Sequence, residues 1–93
     1  MSEIQSLACG LKILDLLSQS QEGVGITEMA EVLEINKSSA SRLVNTLVKY
    51  GYADKDEATR LFHLGPRVVT LSRSILTRLP LREVAKPYLR QMM

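Results

Sequence analysis

Lys37, Ser38, Ser39, Ser41, Arg42, Asn45 and Lys49 gather in one short segment, INKSSASRLVNTLVKYGY, at residues 35–52. Cations, hydroxyls and a carboxamide at this spacing offer positive charge and hydrogen-bond donors with no acid among them. That is chemistry for a polyanion. An Arg fork matches paired acceptors such as those of guanine, a Lys ammonium neutralises a phosphate, and short hydroxyls let a backbone come close to base edges. Surface helices usually fill such a face with Glu and Lys, and Ser is a mediocre helix former away from a cap. Plain solvation explains Asn45 or Lys49 singly as well as contact does, but it does not explain the whole stripe.

The element that carries these residues is a helix. Ala40, Leu43, Val44, Leu47 and Val48 recur at the three-and-four spacing of a buried stripe, and Ser38, Ser41, Arg42, Asn45 and Lys49 fall opposite. Asn36 is its natural cap and Gly51 its left-handed stop. Before it, Ile26 and Thr27 open a two-turn helix ending near Leu33 or Glu34. Thr27 is read as its N-cap, with the helix's first amides free to face a phosphate, and Met29 as core filling. Two short helices and the tight turn EINK make a helix-turn-helix over about residues 26–45.

Ser6 is read as the cap of a first helix from Leu7 to about Ser18, which the polar loop QSQEGVG ends. Leu7, Leu11, Ile13, Leu14, Leu16 and Leu17 cover more of that helix than one core can bury, which suggests a partner chain packed on Leu7, Leu11 and Leu14, or else cover from a C-terminal domain absent here. After Gly51 the period changes to two. YADK and RLFHL flank the polar DEAT and predict a hairpin with a four-residue loop, a wing over about residues 52–64. Gly65 and Pro66 start a fourth helix striped by Val68, Leu71, Ser72, Ile75 and Leu79. Pro80 interrupts it, and LREVAKPYLRQMM begins a further helix in need of a partner.

Composition narrows the function classes. The net charge of +2 hides a segregation: Glu3, Asp15, Glu22, Glu28, Glu31 and Glu34 crowd the opening, whereas the chain from Ala58 onward is rich in Arg with Glu83 its one acid. Such asymmetry is the footprint of a polyanion-binding surface. Arg67 and Arg73 read as solvated charges. Cys9 is the one cysteine, which excludes an internal disulfide and any multi-cysteine metal site, and its apolar helix makes it a buried thiol. His63 has no companion serine elbow, cysteine or paired carboxylate at a recognisable spacing, so no catalytic constellation, cofactor or metal is expected. No apolar run reaches a membrane span and no secretory signal is visible, so a cytoplasmic protein is expected.

SLACGLKILDLLS, GITEMAEVLEINKSSASRLVNTLVKYGYADKD, FHLGPRVVTLS and LREVAKPYLRQM resemble consecutive blocks of the isocitrate-lyase-regulator (IclR) family of bacterial transcription factors. The combination of NKSSASRL, LVKYGY and HLGPR at these intervals is specific, where any one alone is weak. The resemblance implies a mainly α fold with a small β-hairpin: a winged helix-turn-helix at residues 1–65, a linker helix at 66–79, and at 80–93 the first helix of an effector-binding domain otherwise absent. It also implies a homodimer joined partly through the first helix, an operator of double-stranded DNA with inverted-repeat symmetry, and a small-molecule effector bound only through the absent domain.

The chain departs from the family pattern at three places. Glu34 stands where glycine is common, and keeping a positive φ there would cost glutamate roughly 1 kcal/mol unless the turn relaxes. Cys9 and Gly10 replace a charged residue and its neighbour, and Gly10 weakens the first helix by about 1 kcal/mol relative to Ala. Leu61 takes a wing position where a basic residue is frequent, reducing the phosphate grip to Arg60 and His63. The rival reading is a winged helix that binds an acidic protein, but such a surface would favour aromatic or large apolar residues over a Ser/Arg/Asn stripe.

Overall fold

Phe62 is the hub of the fold: fully buried, it lies on a hairpin strand and receives packing from the helices around it. The computed structural model describes residues 2–78, so Leu79, the break at Pro80 and the terminal helix expected over 80–93 lie outside the described residues. The elements run α1 (Gln5–Gln19), α2 (Ile26–Leu33), α3 (Lys37–Lys49), β1 (Ala53–Lys55), β2 (Phe62–Leu64) and α4 (Pro66–Arg78). A mainly helical chain with one antiparallel hairpin is the expected winged helix-turn-helix.

The core is built from the predicted stripes. Ile13 and Leu17 on α1 meet Met29 and Ala30 on α2, and Ala40 and Val44 on α3, while Cys9 is buried on the same side of α1. Leu43, Leu47 and Val48 pack partly buried against them. These helices converge because each spends its apolar stripe on the same small centre.

Three helix starts and stops were legible and two were not. Asn36 caps α3 as expected, its Oδ1 accepting the Ser39 amide at 2.8 Å. Gly51, at φ 87°, ends the helix left-handed, and Pro66 opens α4. Ser6, however, is not a cap: α1 begins at Gln5, with Ala8 N–H donating to the Ile4 carbonyl at 3.0 Å. Gln propagates a helix better than Ser, so the helix extends backward through the would-be cap. Thr27 is likewise inside α2 rather than at its cap. Gly25 holds that place, its carbonyl taking the Met29 amide at 3.1 Å, because its extended backbone starts the turn two residues earlier than a Thr27 cap would.

The turn between α2 and α3 keeps the left-handed conformation instead of relaxing. Glu34 sits at φ 57°, ψ 44°, while Ile35 N–H reaches the Ala30 carbonyl at 3.0 Å and Glu34 N–H the Glu31 carbonyl at 3.3 Å. These bonds satisfy the last carbonyls of α2 and hold the glutamate in a geometry suited to glycine.

The hairpin is shorter than predicted. Its register pairs Ala53 with Leu64, Asp54 with His63 and Lys55 with Phe62, leaving residues 56–61 as the loop. Arg60, expected at the head of the second strand, adopts φ 64° and so breaks the extended run. Its N–H donates to the Asp56 carbonyl at 2.6 Å, and the Asp56 carboxylate accepts the Ala58 amide at 2.9 Å, folding the tip on itself. The loop after α1 adds an unpredicted third partner, since Val24 bridges to Phe62 in antiparallel fashion.

No α4 residue is buried among the described residues. Val68 is half-buried, whereas Leu71 and Ile75 are each 49% exposed, so the predicted stripe of this helix finds little cover within one chain.

Candidate nucleic-acid interface

Helix α3 turns its two cheapest apolar residues, Ala40 and Val44, into the core, and that choice presents the opposite face to solvent. Lys37, Ser38, Arg42, Asn45 and Lys49 are exposed there, with Ser39 and Ser41 half-buried at the margins. The helix carries no acid in its first turn and ends on Lys49. Cations without neighbouring carboxylates keep their full field for an incoming anion.

Small side chains on this face are organised by local hydrogen bonds. Ser38 Oγ donates to Asn36 Oδ1 at 2.8 Å, and Asn45 Nδ2 donates to the Ser41 carbonyl at 2.8 Å. Thr46 Oγ1 donates to the Arg42 carbonyl at 2.7 Å. Lys49 Nζ stands 5.8 Å from the centre of the exposed Tyr50 ring, a cation–π contact that steadies the end of the stripe.

Beside the stripe an open groove of about 540 Å³ runs between α1 and α3. Gln5 and Ser6 form one wall and Ser39, Arg42 and Thr46 the other, with the buried Cys9 between them. Thr46, Gln5 and Ser6 were not singled out from sequence as contact residues. Thr46 was detectable in principle, because it follows Arg42 by four positions and shares its side of the helix.

The wing is less generous than its sequence suggested. Arg60 is exposed at the tip, but Asp54, Asp56 and Glu57 are exposed on the same hairpin. His63 is half-buried, and a Cβ on Gly23 would come within 2.8 Å of its ring, so the imidazole lies directly over that glycine. Leu61 covers Gly23 and Gly25, which accounts for an apolar residue at this wing position. Gly23 itself, at φ 105°, has neither the space nor the backbone conformation for a side chain.

Thr27 is exposed in the first turn of α2, positioned by the N-cap at Gly25 rather than by a cap of its own. On α1, Leu7 is 60% and Leu11 56% exposed and Leu14 is half-buried, with Ile4 extending the stripe. This apolar strip faces away from the core residues Cys9, Ile13 and Leu17, as helical geometry requires.

The model of the IclR helix-turn-helix domain family matches residues 6–57. The chain is 37% identical over 86 residues to the HTH-type transcriptional regulator TsaQ1/TsaQ2 of Comamonas testosteroni, a match covering 92% of this chain and 31% of that protein. It is 28% identical over 91 residues to the transcriptional repressor IclR of Escherichia coli K12, covering 98% of this chain and 33% of the repressor. An IclR family transcriptional regulator from Brucella abortus has a similar crystal structure, with a TM-score of 0.74 and 31% identity over 91% of this chain and 32% of that one. The Agobacterium tumefaciens repressor BlcR shares the fold at a TM-score of 0.76 and 22% identity, over 98% of this chain and 36% of that one. The chain thus spans about a third of the length of the curated relatives it matches.

Proposed function

Because the chain belongs to the IclR family of helix-turn-helix regulators, we propose that it binds double-stranded DNA sequence-specifically as part of a bacterial transcriptional regulator. Helix α3 lies in the major groove, and the wing rests on the backbone or minor groove. The exposed, acid-free polar face of α3 carries this reading. Arg42 reads guanine, and Ser38, Ser39 and Ser41 keep the helix thin enough for close approach. Lys37 and Lys49 grip phosphates near the two ends of the helix, and Thr27, Arg60 and His63 add backbone contacts. The half-buried His63 is the weakest of these donors, which leaves Arg60 as the wing's main cation.

A homodimer follows from the uncovered α1 strip of Leu7, Leu11 and Leu14, which a second copy would remove from water. Two-fold pairing would present two copies of α3 to an inverted-repeat operator, with half-sites about 34 Å apart if they occupy one face of the duplex. Among the described residues no helix is long and apolar enough to cross a membrane; together with a DNA target this supports a cytoplasmic location. Residues 1–65 act as the DNA-binding unit and 66–79 as the linker helix. Residues 80–93 open an effector-binding region, and any response to a small molecule belongs to that region rather than to α1–α4.

Fluorescence anisotropy of labelled duplex over a salt series tests the reading. Log affinity should fall linearly with log salt, by roughly 0.9 per phosphate neutralised. A flat response, or no binding at low salt, would overturn it.

A further inference from the structure

The polar face of α3 has already spent the donors of Ser38, Asn45 and Thr46. Asn45 Nδ2 stands 2.8 Å from the Ser41 carbonyl oxygen and 3.2 Å from Ser41 Oγ. A carbonyl can only accept, so the atom turned toward it must be the amide nitrogen, and the orientation of the carboxamide is settled by chemistry. Its Oδ1 is left without a partner on an exposed residue. Ser38 and Thr46 have likewise turned their hydroxyl hydrogens onto Asn36 Oδ1 and the Arg42 carbonyl.

We infer that Asn45 is a specificity-determining residue that acts purely as an acceptor, reading the amino group of an adenine or cytosine on the strand it faces and touching no phosphate. The inference rests on the DNA-binding reading above and adds the polarity of the contact. Phosphate oxygens only accept hydrogen bonds, so they repel an outward Oδ1. Guanine and thymine present only acceptors at their major-groove hydrogen-bonding positions, whereas adenine N6 and cytosine N4 donate. The familiar two-point contact of Asn with adenine uses both amide atoms, N6 giving and N7 taking; here the nitrogen is held by Ser41, so one bond remains.

Arg42 precedes Asn45 by three residues, a rise of about 4.5 Å along the helix against 3.4 Å per base step. The two side chains therefore address neighbouring base pairs with opposite polarity. Arg42, a pure donor, selects guanine. Asn45, a pure acceptor, takes the one amino group of its pair, adenine N6 or cytosine N4, and so fixes which strand carries that base.

Selection from random duplex DNA, followed by anisotropy with the 93-residue protein and its Asn45→Ala variant, tests this. Asn45 is exposed and Ala favours helices, so the variant should fold, which circular dichroism checks. Beside a selected guanine a second base pair should be selected, and Asn45→Ala should free that pair while keeping the guanine; every pair carries its one major-groove amino group on adenine or cytosine, so replacing that base decides which atom is read. If the amino-bearing base is cytosine, pyrimidin-2-one in its place, which lacks the 4-amino group, should bind roughly 5- to 100-fold more weakly. If it is adenine, 7-deazaadenine, which lacks N7, should bind within about twofold of the parent site, whereas purine without the 6-amino group should bind roughly 5- to 100-fold more weakly. A selection unchanged by Asn45→Ala, an equal loss on specific and random duplex, full affinity for the base without its amino group, or a penalty for 7-deazaadenine matching that for purine would each overturn the inference. A parent protein that binds no duplex fails the DNA-binding reading and this inference together. Sequence-specific binding that ignores Asn45 fails this inference alone.

Discussion

Val24 and Phe62 exchange both backbone hydrogen bonds, at 3.0 and 2.9 Å, tying the loop between α1 and α2 to the wing. Both side chains are fully buried. This pair, together with the Tyr52 N–H bond to the Leu47 carbonyl at 2.9 Å, ties the wing to the helix-turn-helix. Phe62→Ala should lower stability by about 3–5 kcal/mol, the cost of emptying a buried aromatic site. A domain of this size has little in reserve, so urea titration followed by circular dichroism should show a largely unfolded protein at 25 °C.

Two departures from the family pattern should be reversible with a gain. A Cβ at Gly10 would meet nothing within 4 Å, so Gly10→Ala should stabilise α1 by about 1 kcal/mol. Glu34→Gly should add about 0.5–1 kcal/mol by relieving the left-handed glutamate, partly offset by the greater freedom of glycine in the unfolded chain. Glu34→Gln keeps the backbone strain and removes only the charge, so it should leave the urea midpoint nearly unmoved. An equal gain from Glu34→Gln would assign the effect to charge instead.

Specificity and grip should separate on α3. Arg42→Ala should cost about 1–3 kcal/mol on the selected site and little on random duplex, since a lost base contact removes discrimination. Lys49→Ala should weaken both duplexes alike. An unchanged ratio of specific to random affinity in Arg42→Ala would show that another residue reads the base.

Leu11 is 56% exposed in the single chain, so a charge there should leave the fold intact while burdening any seam between two copies. Leu11→Asp is expected to keep the helical circular dichroism of the parent and to sediment as a monomer where the parent sediments as a dimer. A folded variant that still sediments as a dimer would place the interface elsewhere.

Local sequence determined the helices, their order and the chemistry of the acid-free polar stripe of α3, because an apolar stripe and its opposite polar face are both set by the 3.6-residue repeat. Asn36 and Gly51 marked the ends of α3 for equally local reasons, a side-chain cap and a left-handed stop. Tertiary structure decided the rest. The lone apolar Val24 between two glycines carries no strand signal, and it becomes one only because Phe62, far along the chain, offers it a partner. His63 read as a free wing residue until the same pairing laid its ring over Gly23. Glu34 stays left-handed because α2 and α3 must both deliver their apolar residues to one core, and the bonds closing that turn outweigh a local preference of about 1 kcal/mol. The hydrogen bond from Asn45 to Ser41 was open to the i, i+4 spacing, but which amide atom faced outward was settled only once the side chain lay against a carbonyl.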